Sequence, residues 1–196
     1  MNDTAVSDLA ADETAAGSRG NVLVLGLGNV LLGDDGVGAA AVDRLERDYR
    51  IPPEVRLVEG GTLGLSLLDE IAEAQHVILV DAVATDAPPG TLVRLDGAEV
   101  IDAVRDRLSV HQVGVADLLN AARLIGRYPA SVVLLGLVPG LIGLGVGRTR
   151  EVDAAIDALV SAVLREVQTL GYQLPLRPQG CGGDRPIHAL TRHFGM

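Results

Sequence analysis

Tryptophan is absent, and aromatic residues make up only 2% of the chain. A core must then be built from aliphatic side chains, and 48% of the residues are hydrophobic, mainly Val, Leu, Ile and Ala, the usual filling of a parallel sheet covered by helices. Cysteine occurs once, at Cys181, which excludes an internal disulfide and any cysteine cluster for zinc or iron–sulfur. A reducing compartment suits such a chain, and a cytoplasmic location is expected. Basic residues are scarce, 16 Lys and Arg against 26 Asp and Glu, for a formal net charge of -10. Nucleic acid and anionic membrane surfaces both demand clustered basic side chains, so neither is an expected partner. No run is long and apolar enough to span a bilayer without Gly or a charge interrupting it. The first twenty residues lack the basic start and apolar stretch of a signal peptide.

What the chain does contain is organised around Val22–Gly38. An apolar run of strand length stops at Gly26-Leu27-Gly28-Asn29, and after a short loop Asp34 and Asp35 lead into a segment patterned as a helix. This is the start of an α/β domain, with two carboxylates at the edge where such sheets bind ligands. A dinucleotide fingerprint needs a third glycine three residues after the second, where Leu31 stands, and Glu59 lies too far on to bind a ribose. A nucleotide-binding module is therefore the weakest of the functional classes.

The remaining elements follow in order. Residues 38–47 read as an amphipathic helix, 55–59 as a second strand with a turn at Glu59–Thr62, and 63–74 as a helix that returns to the sheet. His76–Asp81 is a buried strand ending on a carboxylate. Residues 82–90 are too few for a crossover helix, so the strand at 91–95 is expected to run antiparallel to its neighbours. A helix over 110–125, a fifth strand at Ser131–Leu137, a glycine-rich loop from Val138 to Gly147 and a helix over 151–170 complete the domain. Its expected bounds are 21–172, between a disordered acidic arm (1–20) and a flexible tail (173–196), both dispensable for activity.

Asp35, Asp81 and His111 stand out among the polar groups. Ser109-Val110-His111-Gln112 has the form of a capping box, which puts His111 in the first turn of its helix. A helix N-terminus disfavours the imidazolium and keeps the ring neutral, the form that binds a metal. Two carboxylates and one imidazole make a ligand set for a divalent first-row metal, with positions left open. Neither a Gly-x-Ser-x-Gly elbow nor a His-Glu-x-x-His helix is present, and Cys181 lies in the tail.

Four ordered motifs, Gly26-x-Gly28-Asn29-x-Leu31-x-x-Asp34-Asp35-Gly36-x-Gly38, Glu59-Gly60-Gly61-Thr62, Asp81-Ala82 and His111-Gln112-x-Gly114-x-Ala116-Asp117, resemble those of the nickel-iron hydrogenase maturation endopeptidases. The resemblance runs from about Asn21 to about Leu170. It implies a three-layer α/β/α sandwich with a five-stranded, mostly parallel sheet whose fourth strand is reversed. It also implies an endopeptidase that trims the C-terminal extension of the hydrogenase large-subunit precursor once nickel is inserted. Asp35, Asp81 and His111 match the residues that contact the metal in that family, and nickel would be supplied by the substrate. Many members carry Glu at the position of Asp35, so this chain has about 1.5 Å less reach there. The turn that often begins with Asp begins here with Glu59.

A non-catalytic nickel-sensing chaperone of the same precursor is the competing class, and a carboxylate-only attack on water is the competing mechanism. Within the aspartate pair, consecutive side chains diverge, so only one is expected to face the site, and the resemblance implies that it is Asp35. Asp34 is then expected to cap the following helix, so that Asp34→Asn costs little.

Overall fold

β1 (Val22–Leu27) is buried at every position, as an interior strand covered on both faces must be. The computed structural model describes residues 20–97, 99–100 and 110–178, with 110–114 described by backbone alone. The other elements are α1 (Val37–Asp48), β2 (Val55–Gly61), α2 (Leu68–Glu73), β3 (His76–Ala82), β4 (Leu92–Asp96), α3 (Val110–Leu124), β5 (Ser131–Leu137) and α4 (Arg150–Thr169). The strands form one sheet in the order β2-β1-β3-β5-β4. All pairings are parallel except β4 with β5, so the strand expected to be reversed is the reversed one.

Strand alternation sorts the core into two layers. Val22 and Val24 of β1 and Ile78 and Val80 of β3 pack with α1 and α4 on one face. Leu23, Leu25 and Leu27 of β1 and Val77 and Leu79 of β3 pack with α2 and α3 on the other. Each of these Val, Leu and Ile side chains contributes about 1.5–3 kcal/mol by leaving water. Among the described residues, no helix is long and apolar enough to cross a membrane.

Three elements differ from their sequence-based expectation. β2 runs on through Gly61, where a turn was expected, because a bulge between Gly26 and Leu27 brings Leu27 opposite Gly61. The helix expected over 63–74 is divided into a 3-10 turn at Gly64–Leu67 and the shorter α2. The tighter turn carries Leu67 into the core and leaves Leu63 and Leu65 exposed. The chain expected to be a tail from Gln173 lies against the end of α1 as far as Arg177. There the Arg50 and Arg177 amides donate to the Pro175 and Asp48 carbonyls, both at 2.8 Å. Cys181, His188 and His193 lie outside the described residues.

α1 meets the sheet backbone to backbone. A Cβ on Gly38 would overlap the carbonyl oxygens of Leu27 and Val80, at the carboxyl ends of β1 and β3. This contact fixes the height of the helix start, and with it the aspartates just before. Gly38→Ala is expected to cost about 1–3 kcal/mol or more, since neither carbonyl can retreat. Chemical denaturation against wild type checks this, and an unchanged midpoint would show that the helix start can slide.

Candidate active site

The order of the strands makes β1 and β3 the point where the chain reverses its direction of winding: β1 leads through α1 to β2 on one side, while β3 lies on the other. The loops diverge above such a point and leave a crevice outside the strand ends. The first polypeptide over this crevice is the turn Gly28–Gly36. Gly28 has φ of 99°, and a Cβ there would fall on the carbonyl oxygen of Asp35. No residue other than glycine lets the aspartate turn close over the end of β1 in this way.

Asp35 and Asp81 are 4% and 5% exposed. Buried carboxylates need hydrogen-bond donors, and backbone amides supply them: Asn29 N donates to Asp35 Oδ2 at 2.8 Å, and Ala82 N to Asp81 Oδ1 at 2.7 Å. Asp81 stands near the end of β3, opposite Gly136 of β5. By alternation with Val77 and Leu79 it belongs to the face covered by α2 and α3. α3 precedes the parallel strand β5, so its first turn, which includes His111, lies toward the carboxyl edge. Its fifteen residues span about 22 Å, close to the roughly 23 Å of a seven-residue strand. The topology thus brings Asp35, Asp81 and the backbone of His111 to one edge of the sheet. The His111 side chain and the expected N-cap Ser109 lie outside what is described. Among the described residues, no three His, Cys, Asp or Glu side chains form a group that could hold a metal ion.

Asp34 does not cap the helix that follows it; the 3-10 turn that begins there has no side-chain cap. Its Oδ2 accepts from Gly140 N at 2.8 Å, Leu141 N at 2.9 Å and the Thr149 hydroxyl at 2.8 Å, and its Oδ1 from Thr149 N at 2.6 Å. Burial pushes this carboxyl upward, but the bonds from Leu141, Thr149 and Gly140 outweigh it and hold the group below the ordinary carboxylate range. Thr149 sits at the N-cap of α4, yet spends its hydroxyl on Asp34. A helix-initiating threonine after a glycine-rich loop was the available signal, and it points to a cap instead of a clamp.

Asp34 joins two loops that are also knit through their backbones. The Gly33 amide donates to the Gly145 carbonyl at 3.1 Å, Asp34 to Leu141 at 3.1 Å, Gly143 to Leu32 at 3.3 Å and Gly145 to Leu31 at 2.9 Å. Beside this junction a cleft of about 200 Å³ opens between Val30, Ala40, Asp43, Glu59, Gly147 and Arg148. The crevice therefore has buried carboxylates at its edge and a two-loop wall of fixed geometry.

The family model for hydrogenase maturation proteases matches residues 39–166, beginning just after the aspartate pair. The hydrogenase 2 maturation protease of Escherichia coli strain K12 is 36% identical over 153 residues, covering 78% of this chain and 93% of that protein. The hydrogenase expression/formation protein HupD of Rhodobacter capsulatus is 37% identical over 155 residues, 78% of this chain and 74% of its own. Among solved structures, the hydrogenase maturating endopeptidase HybD from E. coli superposes with a TM-score of 0.78 at 35% identity, over 80% of this chain and 98% of that one. The [NiFe] hydrogenase maturation protease HybD from Thermococcus kodakarensis gives 0.64 at 28%, over 74% and 98%.

Proposed function

The chain belongs to the hydrogenase maturation protease family, and we propose that it removes the C-terminal extension of the nickel-loaded precursor of the nickel-iron hydrogenase large subunit. Nickel here is part of the substrate, the mark of a precursor ready to be cut. Asp35, Asp81 and His111 are the residues that contact it.

The observation that carries this reading is that Asp35 and Asp81 are both buried at the carboxyl edge of the neighbouring strands β1 and β3, each with an oxygen already held by a backbone amide. A carboxylate so held keeps its orientation, which suits contact with a divalent ion. The start of α3 brings the backbone of His111 to the same edge. Contact with the metal would set the extension beside the site, so that a precursor without nickel is passed over. Positioning of this kind lowers a barrier without requiring a nucleophilic side chain.

Incubation of the purified protein with precursor, with and without nickel, tests this, the extension being followed by mass spectrometry. Release of the extension from the nickel-loaded form alone is the expected result. Nickel-dependent binding without cleavage would make the protein a chaperone, and equal cleavage of both forms would favour a carboxylate mechanism independent of nickel. His111→Ala is expected to abolish cleavage of the loaded precursor and leave the thermal transition in place.

A further inference from the structure

The two loops tied together at Asp34 carry an unusual load of exposed aliphatic side chains. Val30 and Leu31 lie on the first, and Leu141, Ile142, Leu144 and Val146 on the second, with Leu144 and Val146 94% and 91% exposed. Scattered surface leucines are ordinary, whereas a contiguous set beside a functional crevice marks an interaction surface. Neither Gly28–Gly33 nor Pro139–Gly147 contains a charged residue, in a chain with a net charge of -10. The bonds among residues 31–34 and 141–145, together with the Asp34 clamp, make these side chains one rim. The first loop also carries Asn29, whose amide donates to Asp35 Oδ2, so the rim borders the candidate site, and Val30 and Gly147 line the 200 Å³ cleft beside it.

We propose that this rim is the docking surface for an extended, uncharged, aliphatic segment of the precursor polypeptide, lying beside the bond that is cut. The inference rests on the chain processing a precursor. Three properties select the occupant. Asp35 and Asp81 are recessed, so only an unfolded stretch of chain reaches them. The rim lacks charge, so the contacting residues are apolar. The cleft accepts a side chain and not a folded domain. Holding the loops rigid by backbone bonds spares the rim an ordering cost when the segment binds.

The test is the double variant Leu144→Ser/Val146→Ser, whose exposed positions contribute nothing to the core. Leu124→Ser serves as the control, an 87% exposed leucine at the far end of α3. With nickel-loaded precursor, KM is expected to rise about tenfold or more in the double variant, the scale of one lost aliphatic contact, with KM affected more than kcat and the control behaving as wild type. An unchanged KM in the double variant, or the same rise in Leu124→Ser, would overturn the proposal. So would a double variant with normal KM that sediments as a smaller species than wild type, because the rim would then join copies of this chain. Precursor binding, followed by sedimentation with no cleavage required, separates the two levels. Wild type that binds but does not cut, alongside a double variant that fails to bind, would overturn the processing function and support the rim; wild type that cuts, alongside a double variant that binds equally well, would overturn the rim alone.

Discussion

Asp35→Asn is expected to slow precursor cleavage by at least about 100-fold at neutral pH, because even groups that merely support a metal ligand commonly cost 10- to 100-fold. The thermal transition should shift little. Asparagine has nearly the shape of aspartate, and its carbonyl oxygen can still accept the Asn29 amide that Oδ2 accepts at 2.8 Å. What the substitution removes is one carboxylate oxygen at a position only 4% exposed. Cleavage rates at saturating nickel-loaded precursor, set beside the melting temperature of each protein, decide the matter. A rate close to wild type would take Asp35 out of the site.

Asp34→Asn is expected to do the reverse, with stability lost first and activity lost only as the loops part. Both carboxylate oxygens accept, Oδ2 from three donors and Oδ1 from the Thr149 amide. Whichever oxygen becomes NH2, a donor is turned toward a donor. One unsatisfied group of this kind costs about 1–3 kcal/mol, and a domain of this size loses about 2–4 °C in Tm for each kcal/mol. The pH dependence gives a second signature. The folded-state pKa of Asp34 lies below its ordinary value, so its contribution is complete above the ordinary carboxylate range and is lost as pH falls through the lower, folded value. The asparagine variant has no such group to protonate. The gap between the two proteins should therefore be widest at neutral pH and narrow in acid. Urea unfolding at both conditions measures it, and a gap independent of pH would mean that the carboxylate charge has no part in the clamp.

How far the sequence anticipates the molecule depends on the range of the interaction involved. Uninterrupted Val and Leu runs identify β1, β3 and β5, because a strand covered on both faces must be apolar at every position. The shortness of the link after Asp81 requires β4 to be reversed, because a parallel crossover needs a dozen or more residues. Gly26-Leu27-Gly28-Asn29 marks the turn after β1, and a carboxylate after a buried strand marks the carboxyl edge. These are local consequences of periodicity, chain length and steric bulk, and they suffice to place Asp35 and Asp81.

The partners of Asp34 are of another kind. Local pattern pairs it with the amides of the next helix, its nearest donors in sequence, whereas in the fold it pairs with residues 106 to 115 positions away. Which of these wins depends on where the loop after β5 returns, and periodicity carries no information about that. The same holds for the shortened α2, whose register follows from the packing of Leu67 beneath it, and for residues 173–177, which have no repeat but find the end of α1. By itself the sequence determined the sheet, its reversed strand and the edge at which Asp35 and Asp81 stand. Only the tertiary structure decided that one aspartate of the adjacent pair accepts from an amide of its own turn while the other ties two loops together, because a carboxylate's role is set by the donors around it and those can come from across the chain.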